Sequence, residues 1–324
     1  MRTRWIQPLQ WAVVLTFSIS AFAATRLQLT PKFSVGQVLR YRIESTTKST
    51  GKTTSPIVNP EGGSQSNQAV HMQVRLEVLS ISPDRHVRLR AVYEKSTAES
   101  ESDALDLTAN SFAARFNRLE GRAFEFTLAP GGEVSNVRDL TAAVSGQSAT
   151  AVTPELSWLQ DVVSAANLPK QGIALGQKWK SETPVRGALL AGLVSHIEST
   201  YQRDEPCGAS PAANASADSP APGASATGDC AVILSEVEIS RPGSSHSDAT
   251  PDDFRRNGLR TSGTWTGTGE TLNFISLSTG LLISSTQSIT QNMDYQVSSA
   301  STGSSVRHTG KSQSQTQINQ LTNQ

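Results

Sequence analysis

The chain has little of what several large classes of function require. It contains two cysteines in 324 residues, too few for a cysteine-rich metal centre. Charged residues make up 17% of the sequence, below the roughly 25% of an average domain. Beyond residue 23 the longest apolar run is the short segment 187–194, whereas a membrane-spanning helix needs about 20 apolar residues. These shortages argue against a metal-cluster protein and predict a mature chain without a transmembrane span.

The amino-terminal end is typical of a secretory signal peptide. Two arginines come first, a short apolar stretch covers residues 11–22, and Ala21 and Ala23 are the small residues at −3 and −1 of a cleavage site. The pattern predicts a signal peptide over residues 1–23. We therefore expect an exported protein, in the periplasm or the extracellular space.

The mature chain is close to neutral. Loss of Arg2 and Arg4 with the signal peptide leaves 26 of the 28 basic groups, against 28 acidic ones. A protein that binds a phosphate backbone usually carries a marked excess of basic residues on one face. The sequence therefore predicts no nucleic-acid partner.

Alternation of apolar and charged residues dominates the beginning of the mature chain. Residues 39–43, 70–78 and 87–94 each repeat this pattern with a period of two. One apolar and one charged face on the same strand are typical of an antiparallel sheet with one side on a core. Residues 46–68 are rich in Ser, Thr, Gly and Pro and have no apolar period, which predicts a loop between the first two strands.

The last third of the chain predicts further strands, over residues 259–275, 281–297 and 306–321. Strands of about 15 residues would span about 50 Å and usually have to bend. The sequence therefore predicts a mainly β fold. We expect a strongly curved antiparallel sheet or open half-barrel, with one or two helices packed in or across its concave side.

These elements are expected to form a single β-rich domain over residues 24–324. Its strand-rich parts are predicted at 33–140 and 183–324, with a helix and a crossover at 141–182 between them. The helix is predicted over residues 153–168, because a Thr-Pro-Glu start is followed by an apolar stripe of helical period.

The two cysteines predict a disulfide. Cys207 and Cys230 flank a segment composed mostly of Ala, Ser, Pro and Gly, which has too little apolar surface to order itself. We expect a disordered insertion over 208–229, closed at its base by a Cys207–Cys230 bond in an oxidising compartment. Closing a loop of this size is worth about 3 kcal/mol.

No motif for catalysis or cofactor binding is present. The sequence lacks a nucleophile elbow, a phosphate-binding loop, a zinc-protease motif and a calcium loop, and its five histidines have no metal-ligand spacing. We therefore expect a protein that is not an enzyme, with no catalytic residues, no cofactor and no metal site.

Apolar residues of the helix and the strands are the remaining candidates for a binding site. A helix lying across the concave side of a curved sheet can enclose an apolar pocket. The alternative is that the same side chains fill a solid core. Seven residues are predicted to line the pocket: Trp158, Leu159, Val162, Trp179, Val74, Leu89 and Ile289.

The order of the motifs resembles that of a known group of proteins. A hairpin at 124–134 (FEFTLAPGGEV), the helix, the segment 175–179 (LGQKW) and a hairpin at 269–280 follow the signal peptide and the first strands. This order is similar to that of uncharacterised exported bacterial β proteins, which are similar in style to the half-barrels of periplasmic lipoprotein carriers. The resemblance implies a curved sheet and supplies no catalytic residue. The insertion between the cysteines and the polar last strand depart from the pattern.

Two functions of different classes follow. The first is a non-enzymatic exported envelope protein that binds an apolar or lipid-like ligand in a pocket of the curved sheet. The second is a surface or scaffold protein that binds another envelope protein and has no ligand cavity. A cavity lined by Val74, Leu89 and Ile289 would favour the first, and a solid core at these residues would favour the second.

Overall fold

A computed structural model gives the structure of the protein. It describes residues 26–54, 63–102, 107–141, 158, 162, 168–169, 171–185, 188–207, 228–241, 247–299 and 301–321. The predicted signal peptide, the predicted helix residue Leu159 and nearly all of the predicted insertion at 208–229 lie outside the described residues. Within the described part, no helix is both long and apolar enough to cross a membrane.

The described chain is built mainly from long strands. They are β1 (Val38–Thr54), β2 (Gly63–Ile81), β3 (Val87–Ser102), β4 (Ala123–Leu128), β5 (Val134–Asp139), β6 (Lys178–Pro184), β7 (Val194–Pro206), β8 (Asp229–Ser240), β9 (Leu259–Ser276), β10 (Leu282–Ser299) and β11 (Ser305–Leu321). Two short helices accompany them, α1 (Leu107–Asn117) and α2 (Asp252–Arg256). Trp158 and Val162, both within the predicted helix, are also helical.

All the strands belong to one 11-stranded antiparallel sheet, in the order β5-β4-β3-β2-β1-β11-β10-β9-β8-β7-β6. Consecutive strands pair with each other except β5 and β6, which lie at opposite edges of the sheet. At the centre the first strand pairs with the last: β1 pairs with β11 along 15 residues, from Arg40–Leu321 to Thr54–Arg307. The sheet is open, with β5 and β6 at its edges. The predicted mainly β fold with one open antiparallel sheet is confirmed.

The two faces of the sheet differ in chemistry because alternate residues of a strand point to opposite sides. One face carries Tyr41, Val74 and Leu89, all fully buried, and is called the core face. The other carries charged residues such as Arg40 and Arg75 and is called the polar face. The alternation seen in the sequence therefore separates a core from solvent.

The larger apolar group on the core face is called the main cluster. It includes side chains from β1 to β4 and from β6 to β11, and is covered by residues outside the sheet. Phe112 and Phe116 of α1, Leu29 and Ile173 are among these covering residues. Leu27 and Ile173 form an isolated antiparallel bridge that ties the amino-terminal segment to the chain just before β6.

The loop predicted over 46–68 is wrong. β1 runs on to Thr54 and β2 begins at Gly63, so that most of this polar stretch is paired strand. The stretch has no apolar period because its side chains are polar on both faces. Ser49 donates a hydrogen bond to Ser312 across the neighbouring strand, at 3.2 Å between the two hydroxyl oxygens. Polar cross-strand pairs of this kind stabilise a sheet without leaving a hydrophobic pattern.

Candidate functional site

Five of the predicted pocket residues come together in the main cluster. Val74 and Leu89 are fully buried, and Trp158, Val162 and Trp179 are buried in the same apolar group. The indole N–H of Trp158 donates to the hydroxyl of Tyr93 at 3.2 Å. The described side chains therefore pack closely at this end of the core face.

Ile289, the sixth described candidate, lies in a second apolar group, called the flank cluster. Its buried members are Leu190, Leu193, Val237, Ile239 and Ala249. Its rim consists of partly buried apolar residues: Val185, Ala188, Ile197, Trp265, Ile289 and Tyr295. The large apolar side chains of this rim are only partly buried, as are Phe33 and Phe112 at the edge of the main cluster.

Glycines on β9 make room for the rim. A Cβ at Gly269 would lie 2.8 Å from Cγ1 of Ile289, and a Cβ at Gly263 would lie 2.9 Å from Cβ of Tyr295. The Tyr295 ring also stacks on Trp265 of β9, with the ring centroids 6.4 Å apart. Partial burial raises the pKa of Tyr295 above its usual value.

Residues 188–193, called the cover segment, lie over the buried part of the flank cluster. Leu190 and Leu193 are buried there. The Ala191 N–H donates to the carbonyl of Ala249 at 2.7 Å, and the Val185 N–H donates to the carbonyl of Leu193 at 3.0 Å. Backbone hydrogen bonds and two buried leucine side chains thus hold the cover segment against the flank cluster.

A band of uncharged polar residues crosses the core face near the boundary of the two clusters. In this band the hydroxyls of Ser199 and Ser235 hydrogen-bond at 2.8 Å, and the amide of Gln287 donates to Thr271 at 3.2 Å. Two polar atoms on edge strand β6 have no such partner. The indole nitrogen of Trp179 and the hydroxyl of Ser181 are both buried without a hydrogen bond.

The polar face of β6 to β10 carries a groove of about 630 Å³. Five glutamates line it: Glu182, Glu198, Glu236, Glu238 and Glu270. Three of these, called the glutamate row, are in direct register on β7, β8 and β9: Glu198, Glu236 and Glu270. Hydrogen bonds and charge from Lys180 and Lys178 lower the pKa of Glu198. Among the described residues, no group of three His, Cys, Asp or Glu side chains could hold a metal ion.

A network of ion pairs covers the polar face at the other side of the sheet. Glu125 of β4 accepts hydrogen bonds from Arg90 at 2.8 and 3.2 Å and also pairs with Arg88. Arg75 of β2 and Arg40 of β1 both pair with Glu94 of β3. These pairs connect four adjacent strands.

The predicted disulfide is confirmed. Cys207 and Cys230 are bonded, with their Cα atoms 5.1 Å apart, and pack with Val232 and Phe274 in a small apolar cluster. The Cys207 N–H donates to the carbonyl of Gly228 at 2.9 Å, so the base of the insertion is also closed by the backbone. β8 begins at Asp229, the last residue of the predicted insertion.

Sequence reasoning missed the glutamate row and the unpartnered atoms of β6. The alternation in β8 does place Glu236 and Glu238 on one face. The row, however, depends on the pairing of three strands, and no single stretch of sequence contains that register.

No family model matches the chain, and no curated protein matches it. Among solved structures, a lipovitellin chain from a study of lipid–protein interactions in that protein is similar, with a TM-score of 0.42 and 9% sequence identity. The match covers 90% of this chain and 26% of the lipovitellin chain, so this protein spans about a quarter of that chain's length.

Proposed function

We propose that the protein is exported, is not an enzyme, and binds an apolar or lipid-like molecule against the flank cluster. The observation that carries the proposal is the accessible apolar rim around Val237 and Ile239. An apolar molecule that covers the rim gains free energy in proportion to the apolar area removed from water. Ile289, a predicted pocket residue, belongs to this rim.

The cover segment completes the proposed site. A molecule lying along Ile197 and Ile289 would contact the sheet with one side. Its other side would lie near Leu190 and Leu193 of the cover segment. Gly192 has a φ of +79°, a conformation that glycine adopts without strain. The segment could therefore change its path at this residue more easily than at its neighbours.

Binding of an apolar dye, with a matched pair of variants, tests the site. Ile289→Asp places a charge on the rim, and we expect it to weaken dye binding at least tenfold. Val306→Asp puts the same charge on β11 at an apolar residue that is already 37% exposed, and should leave binding unchanged. Thermal melts identify loss of fold. A wild type that binds neither the dye nor any co-purifying lipid in native mass spectrometry contradicts the proposal.

The pocket predicted beneath the helix can be tested separately. Val162 is 1% exposed, so Val162→Asp buries a charge in the main cluster and should be strongly destabilising if no cavity lies there. If the helix covers a ligand cavity instead, the variant should stay folded and lose dye binding. The two outcomes are distinguished by urea unfolding and dye titration of the same protein.

A surface or scaffold protein that binds another envelope protein is the second candidate function. Complete burial of Val74 and Leu89 within the main cluster favours this second function, because a ligand-free protein is expected to have a filled core at these positions. A wild type that binds no dye but co-purifies in a defined stoichiometric complex with one envelope protein would support this function over the first.

Export is tested at the amino terminus of the mature protein. Cleavage after Ala23 is expected, because only this position combines Ala at −3 and at −1, and sequencing should then begin at Ala24. The Cys207–Cys230 disulfide is compatible with an oxidising compartment. A cell-associated protein that retains its first 23 residues would contradict export by cleavage.

A further inference from the structure

Two neighbouring polar atoms on the core face of β6 lack hydrogen-bond partners. Trp179 is 9% exposed, and its indole N–H has no acceptor; the hydroxyl of Ser181, two residues further along the same face, also has no partner. Buried donors are almost always satisfied in proteins, so each exception calls for an explanation. Neighbouring polar groups of the same face, such as Ser199 with Ser235, are satisfied.

The row of residues that begins at Ser181 continues into the flank cluster. Ser181 is opposite Ile197, Ile197 is opposite Val237, Val237 is opposite Gly269, and Gly269 is opposite Ile289. Four strand spacings of about 4.8 Å make this row about 19 Å long. One end of the row is thus an unpartnered hydroxyl and the rest is apolar.

Among the residues that the structure describes, this part of the core face carries no charge. Arg241 lies beyond the end of β8, and its guanidinium donates to Ser247 and to the carbonyl of Gly263. An ionised group at β6 would therefore lose its hydration without gaining a counter-charge from the sheet. The core-face residues of β6 to β10 here are Trp179, Ser181, Thr183, Ser195, Ile197, Ser199, Ser235, Val237, Ile239, Gly267, Gly269, Thr271, Gln287, Ile289 and Gln291.

We propose that Trp179 and Ser181 bind the uncharged, oxygen-bearing end of the apolar molecule, so that the ligand is a neutral ester or alcohol lipid, not a fatty-acid anion or a phospholipid. This inference rests on the proposed function and names the ligand class of the same site. An ester carbonyl accepts hydrogen bonds from the indole N–H and from the hydroxyl, and the chain follows the row towards Ile289.

Both polar atoms are shielded from solvent, so the ligand must enter by displacing residues beside edge strand β6. Within the described part of the chain, no strand pairs with the outer side of β6. Entry along this edge brings the polar end to Trp179 and Ser181 without breaking any strand pairing. The rest of the sheet can therefore remain intact when the ligand binds.

The test compares 1-monomyristoylglycerol with myristate and with lysophosphatidylcholine of the same chain length, below their micelle concentrations at pH 8. We expect the uncharged monoester to bind at least tenfold more tightly than the anionic myristate or the zwitterionic lysophosphatidylcholine. Trp179→Phe should weaken monoester binding about tenfold, the usual effect of one buried hydrogen bond, and Ser181→Ala should act in the same direction. Ser100→Ala is the matched control, because Ser100 on β3 also has a buried, unpartnered hydroxyl and lies outside the site.

A spectroscopic readout separates a hydrogen bond from a change in packing. The mature chain has three tryptophans, so a ¹⁵N-labelled sample gives three indole signals, and Trp179→Phe identifies one of them. The monoester should move the Trp179 indole proton downfield. Equal affinity for myristate, or an unchanged dissociation constant in both variants, overturns the inference while leaving the apolar site intact. Absence of binding by all three lipids and by the dye overturns the proposed function as well.

Discussion

Replacing Glu125 with Gln should destabilise the protein by removing the centre of an ion-pair network. The Glu125 side chain is 7% exposed and accepts three hydrogen bonds from two arginines. Gln keeps the shape of the side chain but loses the charge, and its NH₂ group would face guanidinium donors. The variant therefore tests charge pairing with little change in volume.

The size of the effect follows from the exposure of the two arginine partners. Removing one member of a fully buried ion pair costs about 3–5 kcal/mol. Here the Arg88 and Arg90 side chains are 52% and 38% exposed, so water can solvate them after the change. Hydrogen bonds to charged groups contribute about 1.5–3 kcal/mol, and we expect a loss of about 2 kcal/mol in the free energy of unfolding at pH 7.

The pH dependence distinguishes charge from packing. Hydrogen bonds from Arg90, helped by Arg88, lower the pKa of Glu125 below its usual value although partial burial opposes them. A carboxyl with a lowered pKa in the folded state stabilises the fold above its unfolded pKa of about 4.3, and this contribution is lost as the pH falls through the folded value. The difference between wild type and Glu125→Gln should therefore shrink towards pH 3.

Urea unfolding at pH 7, 5 and 3 measures this difference. Glu99→Gln is the matched control, because Glu99 is an exposed glutamate of β3, and it should change the free energy of unfolding by less than about 0.5 kcal/mol. A Glu125→Gln effect as small as that of the control at pH 7, or one of the same size at pH 7 and pH 3, would refute the reasoning.

Three further changes test other features of the sheet. Glu236→Gln changes the middle of the glutamate row and should raise the free energy of unfolding by about 0.2–1 kcal/mol in low salt, because like charges on directly opposite residues repel. The gain should be smaller in high salt, which screens the charges, and a loss of stability would argue against repulsion. Gly269→Ala should lower the free energy of unfolding by about 1–3 kcal/mol in urea, because the new Cβ would lie 2.3 Å from the carbonyl oxygen of Ser288. Gly63→Ala is the control and should be close to neutral, since the nearest atom to its Cβ would be 3.8 Å away. Replacing Cys207 and Cys230 with Ser should cost about 3 kcal/mol, and thiol titration of the unreduced denatured wild type should detect no free thiol.

The last three strands were predictable from sequence to within two residues. The sequence predicted strands over 259–275, 281–297 and 306–321, and the structure has Leu259–Ser276, Leu282–Ser299 and Ser305–Leu321. The polar ends of β1 and β2 were missed. Their side chains are polar on both faces, so their periodicity leaves no trace in hydrophobicity.

The candidate site was only partly predictable. Trp179 and Ile289 were both predicted to line one pocket, whereas the structure buries Trp179 in the main cluster and leaves Ile289 partly buried at the rim of the flank cluster. Apolar spacing could not indicate that they belong to different clusters, since this depends on the register of β6 to β10. Nor could it reveal that the Trp179 N–H lacks an acceptor, because the absence of a partner is a property of the packed fold.

The pairing of β1 with β11 has a consequence for how the chain acquires its fold. The central ladder joins the first strand to the last, and the chain between them, residues 55–304, is about 250 residues long. Until β11 emerges during synthesis, its two partners in the sheet, β1 and β10, would each have one unpaired edge. Unpaired strand edges recruit other chains. We therefore expect slow, late completion of the sheet, and a chain truncated before residue 305 should aggregate as it folds. Passage across a membrane before folding would avoid this hazard inside the cell.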